Sequence, residues 1–298
     1  MADVSIVIPT FNDKSYLEKT LNSILNSSMF QGEIEIIVID NGSTDGTVEF
    51  LSKKESIIFL HDTRNLNSPY SCRNRGIEAA TGSVIILLDA TCVPHADWLK
   101  NGVAYLIENN VDVVGGDVLF DFEGELSAAK IFDSLTNIRM KESIENRGVA
   151  KTANLFIKKN VFEVAGLFPE GVRSGADVRW THRVSKMGLK IRFCRDSIVY
   201  KPARGFKELI KKQWRVGLHQ PLIWRELSKK YSVFSCLKKL IVPVSPVSVR
   251  RLLRENGTTD MQGYYLRVWF VAQFVKSTMA VANIVGILRL KKANEKYH

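Results

Sequence analysis

Cysteine is scarce in this 298-residue chain: Cys72, Cys92, Cys194 and Cys236 lie far apart, with no Cys-x-x-Cys pair. That spacing argues against a structural zinc site and against a disulfide framework. No leader with a basic start, an apolar middle and a small-residue cleavage site opens the sequence; Met1 runs almost directly into the apolar segment Val4 to Ile8. The expectation is a protein that is not secreted and keeps its thiols in a reducing cytosol. Internal repeats and low-complexity tracts are absent. Acids are nearly missing from the last third. Residues 201–298 hold 5 Asp+Glu against 20 Lys+Arg, a net of +15, whereas residues 1–200 hold 26 against 22, a net of −4. The net charge of +11 therefore belongs to the tail, and it points to an anionic partner. Nucleic acid and an anionic membrane leaflet are the two choices. No helix-turn-helix, zinc finger or stacking motif accompanies the basic residues, which argues against nucleic acid.

What is present is ordinary in bulk, 45% hydrophobic and 24% charged, and long enough for one large domain with an appendage. Short apolar runs alternate with helical spacing from the start. Val4–Ile8, Ile34–Ile39, Ser56–Leu60, Val84–Leu88 and Val111–Val114 read as strands. Between them, 13–25 (with Leu17, Leu21, Ile24 and Leu25 on one face), 47–52, 71–80 and 98–109 read as helices. This rhythm predicts an α/β fold, a mostly parallel central sheet with flanking helices. From about Val118 it weakens. Residues 126–146 read as one helical stretch or a loop, 152–157 as a strand, 160–165 and 176–187 as helices, and 190–193 and 198–200 as short strands. After Pro202 the composition shifts to basic helices punctuated by Pro221, Pro243 and Pro246. The predicted division is a domain over 1–200 and a basic, part-apolar helical region over 201–298. Residues 268–288 form a mostly apolar run containing Gln273 and Lys276, read as a core helix, an interfacial helix or a span.

The chemistry-bearing residues gather at strand ends. Apolar runs that break at Asp40 and Asp89 deliver carboxylates to the carboxyl edge of a parallel sheet, where ligands sit in open α/β folds. The first strand ends in Pro9-Thr10, and the turn Asp40 to Thr47 is rich in Gly, Ser and Thr, as suits close approach to a ligand. Asp45 or Thr47 would cap the following helix. Arg73 is placed to orient a carboxylate or phosphate, since guanidinium groups match such oxygens in pairs; Arg75 reads as solvated. Carboxylates at a strand end can hold Mg²⁺ or Mn²⁺, although Asp89-Ala90-Thr91 offers one acid and a hydroxyl. Asp177 opens a helix after Gly175, as a cap or a general base. Gln213-Trp214-Arg215, with Gly217 and His219, reads as a surface helix.

Together these residues resemble the family 2 glycosyltransferases of polysaccharide type, inverting enzymes with the GT-A fold, over roughly residues 3–200. Val7 to Asn12 resembles the opening strand and nucleotide loop, so Pro9, Thr10 and Asn12 are implied to bind nucleotide. Val38 to Thr47 resembles the uridine-binding motif, with Asp40 at the base. Asn65 and Arg73-Asn74 resemble the run before the metal strand, and Leu87 to Pro94 the Asp-x-Asp motif with its trailing Cys-x-Pro. Gly175 to Trp180 resembles the acceptor-side motif, with Asp177 as catalytic base and Arg179 and Trp180 on the acceptor side. The chain departs at Thr91, where the family usually has its second aspartate, and at Arg179, where an acid or neutral residue is usual. The resemblance implies a UDP-sugar donor, Asp89 supporting the diphosphate directly or through Mg²⁺ or Mn²⁺, and a saccharide or lipid-linked acceptor. The basic tail would hold the protein at the inner face of the cell membrane. Thr91 also motivates an alternative, a sugar-nucleotide-binding protein with weakened or lost catalysis.

Overall fold

The computed structural model describes residues 2–27, 30–66, 68–226 and 232–295. The strands are β1 (Val4–Thr10), β2 (Ile34–Asp40), β3 (Ile58–His61), β4 (Val84–Leu88), β5 (Val93–Pro94), β6 (Val113–Asp121), β7 (Asn154–Lys158) and β8 (Ile191–Pro202). Helices α1 (Lys14–Leu25), α2 (Thr47–Leu51), α3 (Pro69–Ala79), α4 (Trp98–Glu108), α5 (Ala128–Thr136), α6 (Met140–Arg147), α7 (Asn160–Ala165) and α8 (Ala176–Lys186) lie between them. Helices α9 (Phe206–Glu226), α10 (Val233–Ile241), α11 (Pro246–Asn256), α12 (Thr259–Gln262) and α13 (Tyr265–Glu295) follow.

The strands form one sheet in the order β3-β2-β1-β4-β7-β6-β8-β5. β1 pairs in parallel with β2 and β4, β2 with β3, and β6 with β8. The antiparallel pairings join β4 to β7, β6 to β7 and β5 to β8. β1 and β4 are buried along their whole length, as continuous apolar runs with helices on both faces must be. α1 buries Leu17, Leu21 and Ile24 as its spacing predicts, but Leu25 is exposed and Thr20 takes the inward place. The predicted short strands at 190–193 and 198–200 are one strand, β8, because its pairing with β6 continues across a register shift at Gly116/Asp117. Residues 126–146 form two helices, not one, broken at 137–139, where Ile138 adopts φ 43°.

The chain separates into two compact units. The first comprises residues 1–121 and 138–202, and the second 122–137 and 203–298. The first is built on the sheet, with a core that includes Ile6, Ile37, Ile86, Phe156 and Trp98. In the second, Ile131 and Leu135 of α5 pack with Val249, Leu253, Val268 and Ala272 of α11 and α13. Asp133 of α5, fully buried, accepts from the Arg204 backbone N–H at 3.1 Å and guanidinium at 3.2 Å, with Lys212 Nζ at 3.7 Å. A buried acid needs such cations, and this one ties α5 to the chain after residue 203. The run at 268–288 lies inside α13, of which 26 residues are long and apolar enough to cross a membrane by length and composition alone. Gln273 Oε1 accepts from Val244 N–H at 2.8 Å, and Lys276 donates to the Val242 carbonyl at the end of α10. Val268, Val271, Ala272 and Val275 are buried while Leu266, Phe270, Phe274, Val281 and Leu288 are exposed, so the helix has one packed and one open apolar side.

Candidate active site

Register puts the carboxyl ends of β1, β2 and β4 side by side: Thr10 pairs with Asp40, and Val7 with Leu87, two residues before Asp89. The loops that leave this edge are laced together. Asp40 is buried, and its carboxylate accepts from Gly42 N–H at 2.8 Å and Ser43 N–H at 3.0 Å. Asn12, at φ 55°, accepts from Thr44 N–H at 2.7 Å and its own N–H donates to Ser43 Oγ at 2.8 Å. Asp45 accepts from Thr47 N–H at 3.1 Å and Lys14 N–H at 3.0 Å, but the N-cap position of α2 is Gly46, so neither Asp45 nor Thr47 is the cap that the sequence suggested. Pro9 and Thr10 are buried at the end of β1. Thr10 Oγ1 makes no hydrogen bond among the described residues, a buried polar atom that a ligand group at this edge would satisfy. Asn65 donates to Glu170 Oε2 at 3.3 Å and Asn74 to Glu170 Oε1 at 3.0 Å, holding the loop before α8.

Asp89 follows β4 and sits between two cations. Arg73 donates to Oδ1 at 2.7 Å from α3, and Lys201 donates to Oδ2 at 3.1 Å from β8. Arg73 reaches the sheet because Gly76, one turn on, lets α3 approach β1 and β2: a Cβ there would stand 2.4 Å from Val7 Cγ1 and 2.6 Å from Ile39 Cδ1. The Arg73 and Lys201 side chains are 4% and 5% exposed, that of Asp89 29%. Lys201 also donates to Thr91 Oγ1 at 2.6 Å. Its position follows from the β5–β8 register, in which Val93 faces Tyr200, so Lys201 lies opposite Cys92. Hydroxyls spaced along one face of α1 and just past its end fix the motif's backbone: Thr20 to Ala90 O at 2.9 Å, Ser23 to Pro94 O at 2.6 Å and Ser27 to Ala96 O at 2.7 Å. Half-buried Asp13 is within electrostatic reach. Burial pushes its carboxyl above the ordinary range, Lys201 draws it down and Asp89 pushes it up again.

These residues do not fit a divalent cation. Asp89 brings a single carboxylate whose two oxygens already bond nitrogen cations, and the Thr91 hydroxyl bonds one of the same cations. Hard cations of this type want several oxygen ligands, carboxylates foremost. No group of three or more His, Cys, Asp or Glu suited to a metal occurs among the described residues. The two residues expected to hold a metal, Asp89 and Thr91, are thus engaged by protein cations.

Asp177 lies in the first turn of α8, which Gly175 opens at φ 85°, a conformation glycine adopts without strain. Tyr70 Oη donates to Asp177 Oδ1 at 3.1 Å. Burial, and then the charge of Asp177, push the Tyr70 hydroxyl well above its ordinary range, so it keeps its proton. The Arg73 guanidinium stands 5.3 Å from the centre of the Tyr70 ring. One chain of contacts, Asp89–Arg73–Tyr70–Asp177, thus joins the two acids that the sequence singled out. Burial lowers the Lys151 ammonium and nearby Asp177 raises it, so these two are neighbours in charge. Arg179 is half-buried on the same helix. Trp180 is 1% exposed, donates to Gly166 O at 2.7 Å and stacks on Phe162 at 5.0 Å. Its expected place on the acceptor side gives way to a core role, because the inward face of α8 carries it. In the second unit, His219 meets only the Arg215 carbonyl of its own helix among the bonds described. All four cysteines are free and buried.

Sequence reasoning missed Lys201, Tyr70, Asp13, Lys151 and Glu170. A signal existed for Lys201: it is the lone charge in Ser197-Ile198-Val199-Tyr200-Lys201-Pro202, and Thr91 leaves a place for a partner of Asp89.

Comparison with known proteins agrees with this geometry. A family model described as glycosyl transferase family 2 matches residues 5–162, more than half of the chain. Glycosyltransferase AglE of Haloferax volcanii is 36% identical over 294 residues, covering 96% of either chain. The poly(ribitol-phosphate) beta-N-acetylglucosaminyltransferase TarP of Staphylococcus aureus is 28% identical over 149 residues, 49% of this chain and 45% of that one. Among solved structures, the mannosyltransferase PcManGT of Pyrobaculum calidifontis, in complex with GDP-Man and Mn²⁺, superposes with a TM-score of 0.55 at 20% identity, over 100% of this chain and 81% of that one. TarS residues 1–349 of S. aureus with UDP-GlcNAc superpose with a TM-score of 0.54 at 18% identity, over 97% and 92%. These likenesses show the GT-A fold. With the sheet order, the acids at its carboxyl edge and the matched model in agreement, the chain belongs to glycosyl transferase family 2.

Proposed function

We propose that the protein transfers a sugar from a nucleoside-diphosphate sugar, a UDP-sugar first among them, to an acceptor hydroxyl with inversion at the anomeric carbon. The observation that carries this reading is the contact chain from Asp89 through Arg73 and Tyr70 to Asp177. It holds an acid set among cations at one end and a half-buried carboxylate at the other. The donor lies along the edge formed by Pro9, Thr10, Asn12 and the loop that Asp40 shapes, with Asn65 holding the neighbouring turn. Asp177 takes the acceptor proton as the new C–O bond forms and the bond to the diphosphate breaks, with the electron pair leaving on the diphosphate oxygen. General-base help of this kind is worth about 10²–10⁴-fold. The related structures hold GDP-Man and UDP-GlcNAc, which supports a nucleotide-sugar donor. Arg179, on the turn that bears Asp177, faces the acceptor side of the reaction. No step is assigned to a divalent ion.

The acceptor is a lipid-linked or growing saccharide at the cytoplasmic face of the membrane. Supporting this is the exposed stripe Leu266, Phe270, Phe274, Val281 and Leu288 on α13, beside a tail of net charge +15. Apolar residues flanked by Lys and Arg suit the interface of an anionic leaflet, worth about 1 kcal/mol per basic residue near the surface. Lying on the membrane suits α13 better than crossing it, because 44% of its most apolar window is already buried. In this reading the unit formed by residues 1–121 and 138–202, Lys201 included, holds the reaction, and α13 holds the surface.

Asp177→Asn tests the chemistry: transfer from the accepted nucleotide sugar is lost while UDP binding is kept. Retained turnover would remove Asp177 from the mechanism. Nucleotide binding with no turnover by the unaltered chain, across sugars and acceptors, would favour the binding-protein alternative. Salt-sensitive sedimentation with anionic vesicles tests the surface, and absence of binding at low salt defeats that part.

A further inference from the structure

A structural neighbour was solved in complex with GDP-Man and Mn²⁺, whereas the Asp89 site of this chain is filled by protein cations. Three observations converge on Lys201. Its ammonium bonds both side chains of the Asp89–Thr91 motif, at 3.1 and 2.6 Å. It is buried and rises from a strand paired on both sides, by β6 and β5, so it is a fixed part of the sheet. The residue at 91 is a threonine, whose hydroxyl accepts from an ammonium at no cost in charge, where a second acid would have called for a second cation.

We infer that Lys201 is the resident cation of this site, standing in the place of a divalent metal, and that nucleoside diphosphate binds and leaves without one. The inference rests on the nucleotide-sugar reading above. Arg73 and Lys201 bring two fixed cations to the edge where Asp89 lies, with Asp13 nearby, so an arriving diphosphate meets positive groups already in place. As the bond from the anomeric carbon breaks, charge grows on the diphosphate oxygen and these cations offset it. The acceptor proton goes to Asp177, and Lys201 keeps its own proton throughout. A buried ammonium held by a strand is in place before the donor arrives, so no ion has to be recruited and no site reorganised.

Calorimetric titration of the full chain with UDP and with GDP, in EDTA and then in Mn²⁺ or Mg²⁺, tests this. The expected result is a nucleoside diphosphate that binds in EDTA with a Kd that the metals leave unchanged. Lys201→Met then weakens the diphosphate by roughly ten- to hundredfold, the usual worth of a charge-assisted hydrogen bond, and leaves the parent nucleoside unaffected. Lys201→Arg retains most of the affinity, which a purely structural lysine would not require. The double variant Lys201→Ala/Thr91→Asp gains binding on addition of Mn²⁺. Should Lys201→Met fail to fold, the metal titration of the unaltered chain and of Lys201→Arg still decides the matter. Diphosphate that binds the unaltered chain only with Mn²⁺ or Mg²⁺ overturns the role of Lys201 and leaves the nucleotide-sugar reading standing. So does a folded Lys201→Met with unchanged diphosphate affinity. If no nucleoside diphosphate binds in either buffer, the nucleotide-sugar reading itself fails and this inference with it.

Discussion

Replacing Gly76 by alanine sets two effects against each other in α3. Helix propensity favours alanine by about 1 kcal/mol in a helix interior. Packing opposes it. The added methyl would lie 2.4 Å from Val7 Cγ1 and 2.6 Å from Ile39 Cδ1. That is about 1 Å inside the usual 3.5–4.0 Å carbon spacing. Neither neighbour can yield cheaply: Val7 and Ile39 are wholly buried in β1 and β2, and β-branched side chains on strands have few rotamers. The helix must therefore move outward. Overpacking costs about 1–3 kcal/mol, and contacts this short belong in the upper half of that range, so the net is a loss of roughly 1–2 kcal/mol once propensity is subtracted. At about 2–4 °C per kcal/mol for a domain of this size, the melting temperature falls by roughly 2–8 °C. The site feels the same shift. Arg73 lies one turn from Gly76 and bonds Asp89 at 2.7 Å, so a displaced helix lengthens that bond and weakens nucleoside diphosphate binding. Thermal unfolding followed by circular dichroism, with UDP titration on the same samples, measures both. A Gly76→Ala protein that melts at or above the parent temperature would refute the packing argument and leave propensity in charge.

Tyr70→Phe keeps the ring beneath Arg73 and removes the donor to Asp177; we expect turnover to fall roughly tenfold or more, the worth of one hydrogen bond to a charged group, while UDP affinity is unchanged. Equal kcat values in parent and variant would take Tyr70 out of the mechanism. Asp133→Ala removes the acid shared by Arg204 and Lys212 and should cost the second unit about 2–4 kcal/mol, below the full value for a buried pair because both cations are partly exposed. Urea unfolding with proteolysis of the tail as readout checks it, and an unchanged midpoint would count against it. Hydrogen bonds from Arg64 hold the Asp62 carboxyl below its ordinary value of 3.8. A folded-state value below the unfolded one adds stability above pH 3.8 that is lost as pH falls through the folded value. Arg64→Gln should therefore flatten the acid limb of a stability–pH curve in that window, and an unaltered limb would contradict the pairing.

The sequence by itself determined a good deal. Continuous apolar runs such as Val84 to Leu88 specify buried strands, because only a sheet covered on both faces hides every side chain. Their abrupt ends at Asp40 and Asp89 pointed to the carboxyl edge of an open sheet, and the structure brings both carboxylates to that edge. Helical spacing put Leu17, Leu21 and Ile24 inward and Asp177 in a first turn. Periodicity and turn chemistry act over a few residues, and that is the range over which they can be read. Which groups meet across the fold is decided at longer range. Lys201 lies 112 positions from Asp89, and only the β5–β8 and β6–β8 registers bring it there. The choice of Asp40 for its own turn, of Trp180 for the aromatic core and of Tyr70 as the link to Asp177 likewise depended on which faces of α3 and α8 turned inward. The sequence thus located the acid at the end of the strand, and the tertiary structure chose its cation. Backbone pattern sets where a charge is placed, but its partner is set by distances through space that no local pattern contains.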